Sequence, residues 1–158
     1  PSGPPSILGF HPTALYSPLC QVFPLSQKYE APPVPASTMH PAALVGLGGA
    51  IGSIARWGVS EAMPPGTGTE VPWATIAVNL LGALLLGALM AASLQTETLI
   101  FLGTGLLGGF TTMSTFGFET VRLLQADSNT AAAVYVFLNL LAPLAAWLGW
   151  QLSEAFLA

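Results

Sequence analysis

Charged residues are scarce in this 158-residue chain, and that scarcity excludes several classes of protein. They make up 6% of the sequence, whereas soluble domains carry roughly 25%. Three Lys and Arg residues form no basic patch, so no nucleic-acid partner is expected. Cys20 is the single cysteine, which rules out a disulfide within the chain, and the two histidines lack neighbours at zinc-ligand spacing. With no nucleophile–base pair and short loops, the chain is not expected to be an enzyme.

Apolar residues dominate instead, at 53% of the chain. About 20 predominantly apolar residues cross a bilayer as a helix, and four segments meet that length. They are residues 41–63, 72–94, 99–124 and 130–156. The prediction is an all-α membrane protein with four transmembrane helices per chain in a single domain, residues 39–158, with both ends of that domain on one side of the bilayer.

The first 38 residues have a different composition, rich in Pro and Ser and without helical periodicity. Such a segment buries too little apolar surface to offset the entropy of ordering it. No basic stretch precedes a continuous apolar core, so it does not resemble a signal peptide. We expect residues 1–38 to be a disordered extension, or an upstream segment preceding a start at Met39.

Residues 108–116, which read GGFTTMSTF, lie inside the third apolar segment. A glycine costs about 1 kcal/mol in a helix interior, and hydroxyl side chains compete for backbone hydrogen bonds. This stretch predicts a third helix that is broken near the middle of the membrane. A broken helix is tolerated there only where it is buried in protein or lines a wet cavity.

The other apolar segments contain isolated polar residues. Asn79 lies in the second, with Thr75 one turn earlier, and Tyr135 and Asn139 lie four residues apart in the fourth. Arg56 lies about 10 Å before the end of the first, where it could snorkel to the interface or line a water-filled vestibule. These positions are candidates for a polar path along helix faces.

Plainer interpretations of the same residues remain open at this point. Asn79 would serve as a hydrogen bond between helices, as in many membrane bundles. Met113 and Phe116 would be packing residues, and Tyr135 a buried hydroxyl with one neighbour.

The cationic residues are too few to orient the chain. After Lys28, only Arg56 and Arg122 carry a positive charge, and neither lies squarely in a loop. The positive-inside rule therefore has almost nothing to act on. The chain is expected to insert in both directions and to pair with an inverted copy of itself, by analogy with the inverted repeats of transporters.

Three stretches together resemble the Fluc (CrcB) family of fluoride channels. They are residues 48–57 (GGAIGSIARW), 75–82 (TIAVNLLG) and 108–116 (GGFTTMSTF), and the resemblance covers essentially residues 39–158. It implies an antiparallel, dual-topology homodimer in the plasma membrane, with two pores and a structural sodium ion at its centre. The implied function is passive, fluoride-selective export that protects the cytoplasm.

The resemblance also implies roles for individual residues. Backbone carbonyls of Gly108 and Thr111 would hold the sodium ion. Fluoride would pass a set of residues that, apart from Met113, offer amide, hydroxyl or aromatic-edge contacts: Asn79, Thr75, Met113, Ser114, Thr115, Phe116, Tyr135 and Asn139. Met113 departs from the family pattern, because a thioether stands where a phenylalanine ring edge would face the anion.

Two rival functions remain. A small four-helix, dual-topology multidrug transporter would need an intramembrane carboxylate as a proton relay, and the first segment has no acidic residue in its middle. A non-transporting membrane subunit would use the same polar residues only to hold helices together, and it would conduct no ions.

Overall fold

A computed structural model of the chain describes residues 39–63 and 68–157. The prediction made for residues 1–38 falls outside the described residues. Within the described part, four helices are long and apolar enough to cross a membrane: α1 (Pro41–Ala62), α2 (Trp73–Ala91), α3 (Thr96–Gln125) and α4 (Asn129–Leu157). The predicted all-α architecture with four spans is confirmed, and all eight boundaries agree within three residues.

Local sequence signals explain where the helices begin and end. The His40 ring nitrogen Nδ1 accepts a hydrogen bond of 3.2 Å from the backbone of Ala42, and Pro41 occupies the first turn, where no N–H is needed. α3 ends at Gln125, and Asp127, two residues later, has a φ of 54°. There the Ser128 N–H reaches the Leu123 carbonyl at 3.0 Å, closing a Schellman motif.

α3 is not one regular helix. Its first part passes from an α-helical turn, Thr96–Leu99, into a π-helical stretch, Ile100–Leu107, and back to α-helix at Gly108–Phe110. Regular helix resumes at Met113–Gln125. Thr111 and Thr112 between them are extended, with ψ angles of 158° and 113°. The interruption therefore falls inside the predicted stretch 108–116, and its depth in a bilayer stays a prediction.

The two glycines of that stretch are helical, and the extended backbone is confined to the threonines. The glycines serve packing instead. A Cβ atom on Gly109 would lie 2.5 Å from the carbonyl oxygen of Gly49 in α1, and a Cβ atom on Gly52 would lie 2.9 Å from the backbone nitrogen of Phe110. Small residues thus let α1 and the first part of α3 meet backbone to backbone, as in other membrane bundles.

α4 contains a break that the sequence analysis did not predict. Its helix stops at Asn139, passes through a turn at Leu140 and Leu141, and resumes at Ala142. Pro143 is the physical cause, because it has no N–H for the Asn139 carbonyl and its ring crowds that carbonyl. The first part of α4 packs against the second part of α3, and its second part packs against α2.

The buried core lies where α2, the second part of α3 and the first part of α4 meet. Leu123 and Tyr135 are fully buried there, and Ile76 and Ala132 pack beside them. Large apolar side chains also cover the outside of the chain, among them Ile54, Trp57, Phe137, Trp147 and Phe156, which are exposed. An apolar exterior of this kind suits lipid or a partner helix.

Replacing Gly52 by Ala should lower the free energy of unfolding by about 1–3 kcal/mol, because the added methyl group overpacks the contact of α1 with α3. Gly58→Ala in the same helix is the matched control, since a Cβ atom there meets nothing within 4 Å. That control should be neutral or more stable by up to about 1 kcal/mol. Denaturation of both purified variants measures the difference, and equal stabilities would contradict the packing.

Candidate functional site

The site is built around the interruption of α3, where the Asn79 side chain hydrogen-bonds to the backbone of Thr112. The Thr112 N–H donates to Asn79 Oδ1 at 2.8 Å, and Asn79 Nδ2 donates to the Thr112 carbonyl at 3.1 Å. An amide side chain has the same donor and acceptor groups as a peptide bond, so it satisfies both backbone groups of one residue. We call this pair of hydrogen bonds the Asn79–Thr112 clasp.

A second amide extends the network from α2 to α4. Asn79 Nδ2 also donates to Asn139 Oδ1 at 2.9 Å, and Asn139 Nδ2 donates to the Tyr135 carbonyl at 3.0 Å. Asn139 is buried, so these bonds satisfy a polar group that would otherwise be costly to bury. Amides of two helices and the broken backbone of a third therefore form one connected chain of neutral groups.

At the interruption, two backbone N–H groups bond to side chains and not to the carbonyls that they would reach in a continuous helix. In a continuous helix the Thr112 N–H would bond to the Gly108 carbonyl, but here it is diverted to Asn79. The Thr115 N–H would likewise bond to the Thr111 carbonyl, but it donates at 3.2 Å to the side chain of Thr112, the residue that caps the second part of α3. Gly108 and Thr111 are the residues for which the sequence analysis predicted cation-binding carbonyls.

A cavity of about 300 Å³ opens beside these groups. It brings together predicted site residues from all of α2, α3 and α4: Asn79, Gly108, Thr111, Met113, Phe116 and Asn139. Thr112 and several small or aliphatic residues complete the lining. Met113 is 76% exposed in the single chain, so its thioether lies at the open rim of this cavity.

A carboxyl group that the sequence analysis left out lies one helical turn beyond Phe116. Glu119 Oε2 accepts hydrogen bonds from Thr75 Oγ1 at 2.7 Å and from the Tyr135 hydroxyl at 2.5 Å. The Phe116 and Tyr135 ring centroids are 5.3 Å apart and the rings are tilted by 52°. Three helices therefore converge on one carboxylate next to the aromatic pair.

A second cavity, of about 240 Å³, lies on the α1 side of the interruption. Arg56 lines it with the hydroxyl-bearing residues Thr75, Thr112 and Thr115. A guanidinium group with neighbouring hydroxyls is an environment that attracts a small anion. Thr112 lines both cavities, so the two are neighbours at the extended segment.

Most of the predicted residues thus line one of the two cavities, and two do not. One group lines the first cavity, while Arg56, Thr75 and Thr115 line the second. Tyr135 lines neither, since it is fully buried with its hydroxyl on Glu119. Ser114 is exposed, and its hydroxyl lies 3.3 Å from that of Thr112.

Two residues of this site were missed, and one had a usable signal. Glu119 follows Phe116 by three residues, so a helical α3 places both on one face, which the spacing alone could have revealed. Thr112 had no such signal, because its place in the site depends on a hydrogen bond with Asn79, a residue 33 positions away in the sequence. No local pattern indicates that contact.

Comparison with known proteins identifies relatives along almost the whole described region. The family model described as CrcB-like protein, Camphor Resistance (CrcB), matches residues 43–150. The fluoride-specific ion channel FluC 1 of Halobacterium salinarum is 43% identical over 113 residues, which is 71% of this chain and 92% of the relative. The fluoride-specific ion channel FluC of Thermus thermophilus is 42% identical over 117 residues, with the same coverage. Both relatives are named as ion channels, which are not enzymes.

The shared carboxylate allows a direct test of the site's geometry. Glu119→Ala and Tyr135→Phe should be energetically coupled by about 0.5–3 kcal/mol, because Ala removes the acceptor and Phe removes the donor of the same hydrogen bond. The measurement is a double-mutant cycle of unfolding free energies. Glu154→Ala, at an exposed position near the end of α4, is the control and should add independently to Tyr135→Phe. Additivity in the Glu119 cycle would contradict the observed contact.

Proposed function

The chain belongs to the CrcB family of fluoride-specific ion channels, and on that premise we propose that it forms a fluoride-selective pore. It is a multi-pass membrane protein, and the proposed location is the plasma membrane. There, passive outward flow of fluoride would lower its concentration in the cytoplasm. The substrate in this proposal is the fluoride ion itself, and no energy source is required.

The observation that carries the proposal is the pair of neighbouring cavities that share Thr112. One is lined by Arg56 and hydroxyl-bearing residues, and the other by two asparagines, two threonines and Phe116. Conduction requires sites that are favourable enough to enter and weak enough to leave. Neutral donors and ring edges in series meet that requirement better than buried cations would, because a small, strongly charged anion binds a buried cation tightly.

We further propose that two copies assemble as an antiparallel homodimer of dual topology. The wide exposure of Met113 and the open first cavity support it, since a membrane pore needs protein around it on every side. An inverted second copy would close the open side of each cavity and so create two equivalent pathways. The weak charge bias of the chain is compatible with insertion in both directions.

The carbonyls of Gly108 and Thr111 fit a structural sodium ion at the centre of that dimer. Hard cations prefer oxygen ligands, and the Gly108 and Thr111 carbonyls have each lost the amide that would satisfy them in a continuous helix. A cation there would supply positive charge close to the anion path. The described residues contain no group of three or more His, Cys, Asp or Glu that could hold a metal ion, so a sodium site would rest on backbone oxygens.

Purified protein in liposomes should release fluoride rapidly and chloride far more slowly. An ion-selective electrode records the efflux of each anion from matched vesicles. Comparable chloride flux would overturn the selectivity, and an absence of fluoride flux would favour a non-transporting subunit. Efflux of a cationic drug in exchange for protons would instead support a multidrug transporter.

Phe116→Ile should reduce fluoride flux by at least about tenfold, because an aliphatic group lacks the partially positive ring edge that faces the anion. Phe118→Ile is the matched control, since Phe118 lies on the same helix but is 68% exposed and lines neither cavity. That control should conduct like the unmodified protein. Equal fluxes in both variants would remove Phe116 from the pathway.

Dual topology predicts that the C-terminal end of the chain lies on one side of the membrane in some molecules and on the other side in the rest. A Leu157→Cys variant that also carries Cys20→Ser has one thiol, at the end of α4. An impermeant thiol reagent applied to intact cells should label about half of it, since opposite orientations are equally populated in an antiparallel dimer. Labelling of all or none of the molecules would establish a single orientation.

A further inference from the structure

We propose that Trp57 is an anion-contacting residue: its indole N–H donates a hydrogen bond to the fluoride ion in the cavity that Arg56 lines. The inference rests on the proposed function, because it adds a residue to the same path. Neither the pattern of polar residues in the sequence nor the family resemblance gives Trp57 a role.

The last turns of α1 turn one face toward this cavity. Ser53, Arg56, Trp57 and Ser60 all line it, and their spacing of three and four residues places them on one side of the helix. Gly52, next to Ser53, still packs against the backbone of α3. Beyond its interruption, α3 packs mainly on α4. The cavity therefore opens where α1 loses its close neighbour, and Trp57 lies at that opening.

The indole N–H of Trp57 is available to a ligand. An indole nitrogen donates one hydrogen bond and accepts none. Within residues 39–63 and 68–157, the structure gives this N–H no hydrogen-bond partner. Ser60 on the same face differs, since its hydroxyl donates to the Arg56 carbonyl at 3.2 Å. The Trp57 side chain is 64% exposed, so most of its ring is left uncovered by the rest of the chain.

The charge of the cavity selects an anion as the acceptor. Arg56 is the only charged residue among the described residues that line it. Its guanidinium group stays protonated and attracts an anion, and the indole N–H beside it adds a contact without adding a second charge. Such a contact suits conduction, which needs sites that an ion can also leave.

The position along α1 makes this an early contact on the path. Trp57 lies five residues before the end of α1 at Ala62, a rise of about 8 Å. An anion that enters from this end of the bundle would meet the indole N–H and the guanidinium group before it reaches the α3 interruption. The contact would therefore act on entry, and its effect should be greatest when fluoride is dilute.

Two substitutions separate the N–H group from the bulk of the ring. Trp57→Phe keeps an aromatic side chain without a donor, whereas Trp57→Tyr supplies a hydroxyl donor. Trp73→Phe is the matched control, because Trp73 begins the next helix, is 58% exposed and lines neither cavity. It measures what the loss of an interfacial tryptophan does through lipid contacts alone.

The first test is fluoride efflux from liposomes at fluoride concentrations far below and far above half-saturation. Trp57→Phe should lower the flux at least about tenfold at low fluoride, because one hydrogen bond to an ion is lost, and less than about twofold at high fluoride, where the site still fills. Trp57→Tyr should recover at least about half of the lost flux, and Trp73→Phe should conduct like the unmodified protein. Equal losses at both concentrations would indicate damaged packing and overturn the proposal, as would an undiminished flux in Trp57→Phe.

The second test detects the contact without requiring conduction. The chain has four tryptophans, so replacing Trp73, Trp147 and Trp150 by Phe leaves Trp57 as the single indole. Fluoride that replaces gluconate at constant ionic strength should shift the Trp57 emission to a saturating value, because an anion on the N–H changes the electric field at the ring. A variant that retains only Trp73 should show no such shift.

Arg56→Gln in the Trp57-only protein should raise the half-saturating fluoride concentration at least about threefold, because the attraction of the guanidinium group is lost. Emission from Trp57 that does not change with fluoride would overturn the proposal, and so would an equal response from Trp73 alone. If the unmodified protein shows no fluoride flux, the proposed function fails. The emission of Trp57 then still decides whether this residue contacts the anion.

Discussion

Backbone polar groups in the middle of an apolar helix bundle must find hydrogen-bond partners within the protein, and that constraint governs this structure. α3 opens at Thr111 and Thr112, and Asn79 from α2 satisfies both backbone groups of Thr112. The Thr112 hydroxyl then caps the second part of the helix through the Thr115 N–H. The interruption is stable because its cost is met by one side chain from a neighbouring helix and one from the segment itself.

Close packing of small residues places the interruption where it is. The glycines of α1 and of the first part of α3 meet backbone to backbone, which leaves no room for a side chain at Gly52 or Gly109. Beyond the interruption, α3 leaves α1 and packs on the first part of α4. Both cavities open beside this change of neighbour, one lined by Arg56 and the other by Phe116.

Except for Arg56, the polar residues that line these cavities are neutral, and the nearby Glu119 lines neither cavity. Glu119 accepts from Thr75 and Tyr135, which join α2 and α4 to α3 at one carboxylate. Amides of α2 and α4 meet one turn away. In the proposed pore, a small, strongly hydrated anion would exchange water for such contacts in steps.

Much of the fold and part of the site were accessible from the sequence, for identifiable reasons. Apolar run lengths reveal the four spans, because about 20 residues must cover the bilayer, and the two threonines after Gly109 reveal the break. The kink at Pro143 was equally local and was overlooked.

The sequence by itself determined the class of protein, the family and the location of the interruption, since each depends on local composition or on a motif. Only the tertiary structure decided that Asn79 hydrogen-bonds to the backbone of Thr112 and that Glu119 accepts hydrogen bonds from two hydroxyls. The Asn79–Thr112 contact joins residues 33 positions apart, and the Tyr135–Glu119 contact joins residues 16 positions apart. Which residues pair between helices depends on the faces that the helices turn toward each other when they pack.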